Sequence, residues 1–215
     1  MMTVAIGTAV LKVLVGGLAV GLLHESPWLL TGLLLGVVVA KFVRLRHNET
    51  FLSYRRRVIA GMLISFVLGA FSEWLGTENG WWVYHLYENT AVKFPPWVPV
   101  AWAIAYRIFF ELEENYFSKL TPKLRWVALG LTMIFLPPLG EITAMHLGTW
   151  YYTFQPQFLM MPLQAVVLIA LVHALCSYLV KAFVRPAKQA ACRAGNIHIE
   201  KPRLNSHIEA LTHHP

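Results

Sequence analysis

Two glutamates stand in otherwise apolar sequence: Glu73 in EWLGTENGWWVY and Glu141 in EITAMHLGTWYY. Both stretches read E-x6-G-x-W-x-Y, so Gly80, Trp82 and Tyr84 match Gly148, Trp150 and Tyr152, 68 residues further on. A carboxyl group placed in hydrocarbon is costly and faces a bundle interior, a partner or a cavity. Low-dielectric surroundings favour its neutral form, which can donate a proton. Glu73 and Glu141 are therefore candidate catalytic acids. The other reading makes them structural groups that cap loop backbone or pair with Arg107. Trp82, Tyr84, Trp150 and Tyr152 could hold a carbocation against their ring faces. They could equally form an interfacial aromatic belt, for which Trp and Tyr are suited. Gly80 and Gly148 suit the turn by which the chain leaves a helix.

The elements that must carry these residues follow from composition. Of 215 residues, 57% are hydrophobic and 13% charged, against roughly 25% charged in soluble domains. Mean hydropathy is +0.53. The sequence predicts an all-α integral membrane protein with about six transmembrane helices. The expected spans are Thr3–Leu23, Trp28–Val43, Val58–Leu75, Trp97–Leu112, Trp126–Ala144 and Phe158–Phe183. Together they make a transmembrane domain over 1–185, followed by a polar cytoplasmic tail over 186–215. The N-terminal run reads as a retained span. It has no basic start and no clear small-residue cleavage site.

The net charge is +7, but the basic residues cluster between apolar runs, so a membrane topology signal explains them and nucleic acid is not an expected partner. KFVRLRHNETFLSYRRR, SKLTPKLR and KAFVRPAKQAACR all fall on one side if the spans alternate. Basic loops stay in the cytoplasm, which puts both termini there. The bacterial inner (plasma) membrane is the expected location.

The likeness between the motifs extends outward. Arg57 opens the third span and Arg125 the fifth, and a proline, Pro99 or Pro162, opens the span after each motif. The pattern predicts an internal repeat of parallel topology, with units near 57–112 and 125–183. The remaining polar residues have plainer readings. Glu111 is four residues from Arg107 and can pair with it, and ELEEN (Glu111–Asn115) reads as a solvated helix end. His146 suits an interfacial position, although a proton relay is conceivable. His173 reads as a satisfied core histidine, and Lys12 either snorkels or pairs. Cys176 and Cys192 have no metal-ligand spacing, and the tail histidines His198, His207, His213 and His214 read as part of a solvated terminal segment in preference to a metal-binding tail. No metal site and no cofactor is expected.

At these residues the sequence resembles membrane carotenoid-modifying proteins, namely the carotenoid hydratases and, more distantly, the small lycopene cyclases of the heterodimeric type. SEWLGTENGWWVYH followed by FPPWVPVAWAIAY, and EITAMHLGTWYY followed by MMPLQ, resemble the family order of an acid, a glycine, aromatics and a proline-led span. The likeness covers roughly residues 58–180 and adds Trp102, in the Val-Pro-x-Ala-Trp segment, to the implied substrate-binding residues. The cyclases place two acids after the second proline, where this chain has Leu163 and Gln164. The resemblance implies a membrane enzyme of carotenoid or isoprenoid biosynthesis. It would hydrate or cyclise a terminal C=C of an apolar polyene by acid initiation, in a lipid bilayer and as a homo- or hetero-oligomer. The rival expectation is a non-catalytic module that binds lipid or pigment, or a subunit of a larger membrane assembly.

Overall fold

A computed structural model describes residues 2–184. The expected tail, with Cys192 and the four tail histidines, lies outside the described residues. The chain is mostly helical. Six helices follow in order: α1 Met2–Leu23, α2 Pro27–Leu45, α3 Glu49–Glu78, α4 Val98–Asn115, α5 Pro122–His146 and α6 Leu163–Phe183. Of the six expected spans, all but the one in α4 are long and apolar enough by themselves to cross a membrane. The reason lies in α4 itself. It carries Arg107, Glu111, Glu113 and Glu114 in 18 residues, a composition unfit for lipid. It packs against each of the other five helices.

Two boundaries move. The basic stretch expected between the second and third spans is largely helical, because Asn48 caps α3 by accepting the Phe51 N–H at 2.9 Å. With 30 residues, α3 is about 45 Å long, so it outreaches the roughly 30 Å hydrocarbon layer. Its Arg55–Arg57 end extends toward the basic loops. The last helix starts at Leu163 and not at Phe158. The intervening residues form a tight hairpin, β3 Gln157–Phe158 against β4 Met161–Pro162, turned by Leu159 and Met160 at φ 50° and 67°.

Helix α3 shows how the bundle closes. Gly61, Ser65, Gly69 and Glu73 recur every fourth residue and are buried. Leu63, Val67 and Phe71 are exposed on the opposite face, where lipid replaces water. Small residues let neighbours approach closely. A Cβ on Gly61 would lie 2.0 Å from the Tyr106 ring, and one on Gly69 would lie 2.3 Å from Trp102. Helices α1 and α5 meet likewise at Gly17 and Gly140.

At one end of the bundle, α4 gathers the ion pairs. Glu113 accepts from Arg125 of α5 and Lys181 of α6, at 2.6 and 2.5 Å. Glu114 accepts from both terminal nitrogens of Arg57 of α3, at 2.6 and 3.2 Å. Glu111 takes Arg107 at 3.0 Å and Lys12 of α1 at 3.4 Å. ELEEN is therefore not a solvated helix end. Glu113 is buried, and basic groups from four other helices offset three acids at the negative end of the α4 dipole. Lys12 pairs.

Candidate functional site

Helices α3 and α5 end in the same way. The Trp81 N–H reaches Gly76 O and the Gly80 N–H reaches Thr77 O; Thr149 and Gly148 repeat these bonds to Ala144 O and Met145 O. This is the Schellman stop, which needs a left-handed residue. Gly80 at φ 64° and Gly148 at φ 82° supply it. The chain then turns back as β1 Trp82–Tyr84 and β2 Trp150–Tyr152. These pair antiparallel, with Trp82 opposite Tyr152 and Tyr84 opposite Trp150. The two motifs thus face one another about a local two-fold axis.

Beneath this ribbon lies a cavity of about 200 Å³. Glu73, Glu141, Trp82, Tyr84, Trp102, Trp150 and Tyr152 all line it, so the structure brings every candidate catalytic and substrate-binding residue to one place. Pro99 and Pro162 stand at the starts of α4 and α6. Together with Gly80 and Gly148 they shape the walls and do not line the cavity. The other walls are largely aliphatic and come from all six helices. Along α4 the lining runs from Trp97 to Phe109, about 18 Å at helical rise.

The two carboxyls are held differently. Glu73 is buried and receives three hydrogen bonds. The Trp82 indole N–H and the Tyr84 hydroxyl donate to Oε2, each at 2.9 Å, and the Trp102 indole N–H donates to Oε1 at 3.0 Å. Glu141 is half-buried, opens on the cavity and receives one hydrogen bond, from the Tyr152 hydroxyl at 2.7 Å. Glu73 has two bonds that Glu141 lacks, and the one from Trp82 has a local cause. The Trp82 ring lies against Gly76, where a Cβ would come within 2.0 Å of it. The matching position before Trp150 is Ala144, whose methyl occupies that space. Trp150 packs instead near Tyr84 and Trp97, at 5.5 and 6.4 Å between ring centres. Burial, then the neighbouring carboxyls, push the Tyr84 and Tyr152 hydroxyls well above the ordinary tyrosine value, so both remain donors.

Three lining residues escaped the sequence reading of the site. Trp97 is buried, and its indole N–H has no protein partner. His173 was expected to be satisfied; it is buried, but Nδ1 has no partner. Its ring is wedged between Trp102 and Phe109, at 5.2 and 4.6 Å, and aromatic neighbours offer no acceptor in their plane. Pro137, inside α5, removes a backbone donor one turn before Glu141. The Pro-Pro pair was the available signal for it; Trp97 and His173 had none. His146 is exposed and bonds to Ile142 O, which gives it a local backbone partner. Among the described residues, no three His, Cys, Asp or Glu side chains gather closely enough to hold a metal ion.

No family model, no curated protein and no solved structure matches the chain.

Proposed function

We propose that this chain is a membrane enzyme that adds a proton to a terminal C=C of an apolar polyene or isoprenoid and guides the resulting cation to hydration or to ring closure. The observation that carries this reading is the convergence of Glu73 and Glu141, held in two different ways, on one aromatic cavity inside an apolar bundle. Glu141, with one hydrogen bond and an oxygen left free, is the proton donor. Its proton forms a C–H bond at the terminal carbon, and the π electrons leave a tertiary cation between the indole and phenol faces. Water forms the C–O bond. Glu73 has about four acceptor positions, three of them filled, and takes the proton that the water releases. Returning that proton to Glu141 resets the site, and the sum is one water added across the double bond. In cyclisation an internal double bond takes the place of water, forming a C–C bond, and the ring cation then loses a neighbouring C–H proton to Glu73, which leaves a new double bond. An elongated cavity along α4 suits an extended chain.

The same proposal includes the duplication of a helix pair, giving halves near 57–112 and 125–183. Matched Arg57 and Arg125 both bind α4 acids, and the two motifs pair with each other, which supports it. Both termini face the cytoplasm, because Arg55–Arg57, Lys119, Lys123 and Lys181 lie toward one end of the bundle. The membrane is the bacterial plasma membrane.

The test is expression in cells that make a linear carotenoid such as lycopene, with mass analysis of the pigments. A gain of one water supports hydration, and unchanged mass with shifted absorption supports cyclisation. Glu73→Gln and Glu141→Gln should each abolish turnover in a folded protein; full activity in both removes the mechanism. A second reading, a non-catalytic binder of lipid or pigment, is favoured by the three hydrogen bonds on Glu73, which could serve structure alone. A polyene extracted unaltered from the purified protein, without any product, would select it.

A further inference from the structure

Glu73 is surrounded by donors only. An indole N–H can donate but never accept, so Trp102 fixes Oε1 as an acceptor and Trp82 fixes Oε2 as one. The Tyr84 hydroxyl adds a third donor. Three donors and no acceptor suit the carboxylate. A buried anion normally has a cation beside it. Among the described residues, neither Glu73 nor Glu141 forms an ion pair, and every pair involves Glu111, Glu113 or Glu114. Two basic side chains face the same cavity. Lys12 has its ammonium 3.4 Å from Glu111, and His173 is enclosed by Trp102 and Phe109. Arg107, the basic residue of α4, is held by Glu111. The anion therefore stands at the N–H and O–H edges of three aromatic rings, whose faces could attract positive charge, and no cation among the described residues pairs with it.

We propose that this cavity is a binding site for a lipophilic organic cation, a trialkylammonium group on an apolar chain, with the Glu73 carboxylate as the fixed counter-charge. The rings of Trp82, Tyr84, Trp97, Trp102, Trp150 and Tyr152 form the wall around the cationic head. The aliphatic lining along α4, toward Ala105 and Ile108, receives the tail. The inference rests on the proposed reaction in one respect, since a carbocation formed there would be the transient member of the same ligand class. Its test needs no turnover.

The probe is dodecyltrimethylammonium, compared with 2,2-dimethyltetradecane, its uncharged isostere. Binding to the purified full chain in nanodiscs of zwitterionic lipid is followed by tryptophan fluorescence, with protein-free nanodiscs correcting for partition into lipid. The wild-type protein should prefer the cation by about tenfold. In Glu73→Gln the preference should fall to about one. Equal binding of cation and isostere by the wild-type protein overturns the inference without any variant. An undiminished preference in folded Glu73→Gln also overturns it. Cation preference without turnover of any polyene leaves the site standing and removes the reaction. Turnover without cation preference does the reverse.

Discussion

Gly76 is the position at which the two halves of the site diverge, and adding one methyl there should uncouple Trp82 from Glu73. A Cβ at Gly76 would stand 2.0 Å from the far edge of the Trp82 ring. The ring cannot retreat freely, because its indole N–H is tied to Glu73 at 2.9 Å and its face meets Tyr152 at 5.8 Å. Overpacking costs about 1–3 kcal/mol, and losing a hydrogen bond to a charged group about 1.5–3 kcal/mol. Alanine returns about 1 kcal/mol of helix propensity. The expected net loss for Gly76→Ala is about 3 kcal/mol, or roughly a hundredfold in the unfolding equilibrium. Reversible unfolding in mixed micelles, followed by helical circular dichroism, measures it. The decisive comparison is a double-mutant cycle. With Trp82→Ala already in place, Gly76→Ala should cost nothing or stabilise by up to about 1 kcal/mol. An equal loss in both backgrounds would refute the contact between Gly76 and Trp82 as the cause, and so would a Gly76→Ala protein as stable as the wild type.

Trp97→Phe loses an N–H that has no protein partner, so its cost in the same unfolding assay should be only that of the space left by the smaller buried ring, about 1–2 kcal/mol. Trp102→Phe removes a bond to Glu73 and should cost about 1.5–3 kcal/mol in the same unfolding assay. Glu113→Gln leaves Arg125 and Lys181 facing one another without their shared acid. It should lower stability by about 1–3 kcal/mol, with a deficit that shrinks as salt is added; no loss at low salt would contradict the ion-pair hub. Tyr84 and Tyr152 have values raised above the ordinary 10.0 by burial. Their contribution to stability is complete below about pH 10 and is lost as pH rises toward the folded-state value. In alkaline titrations of unfolding, replacing both by Phe should flatten the slope of stability against pH above about 10, and an unchanged slope would contradict the shift.

Much of the site's position was legible in local pattern. Apolar runs and the loops between them marked the helices, because lipid demands a long apolar stretch and the chain must interrupt it to turn. Gly80 and Gly148, shortly after the expected spans end at Leu75 and Ala144, marked the stops, since the left-handed turn they make is a local requirement. The four-residue spacing of Gly61, Ser65, Gly69 and Glu73 puts them on one helix face, which the packing shows to be the inward one. Tertiary structure decided the rest. Pairing of Trp82–Tyr84 with Trp150–Tyr152 joins the two glutamates to one cavity, and no spacing within either motif specifies a partner 68 residues away. Trp102 reaches Glu73 across 29 residues of chain only because α4 packs on α3 over Gly69. The acids of α4 read as solvated in sequence, yet basic groups from four other helices converge on them and Glu113 is buried. The unequal bonding of Glu73 and Glu141 has the same origin. Local sequence sets which residues a helix presents, and packing sets what meets them: a methyl absent at Gly76 and present at Ala144, together with Trp102 packed over Gly69, makes two matched acids different.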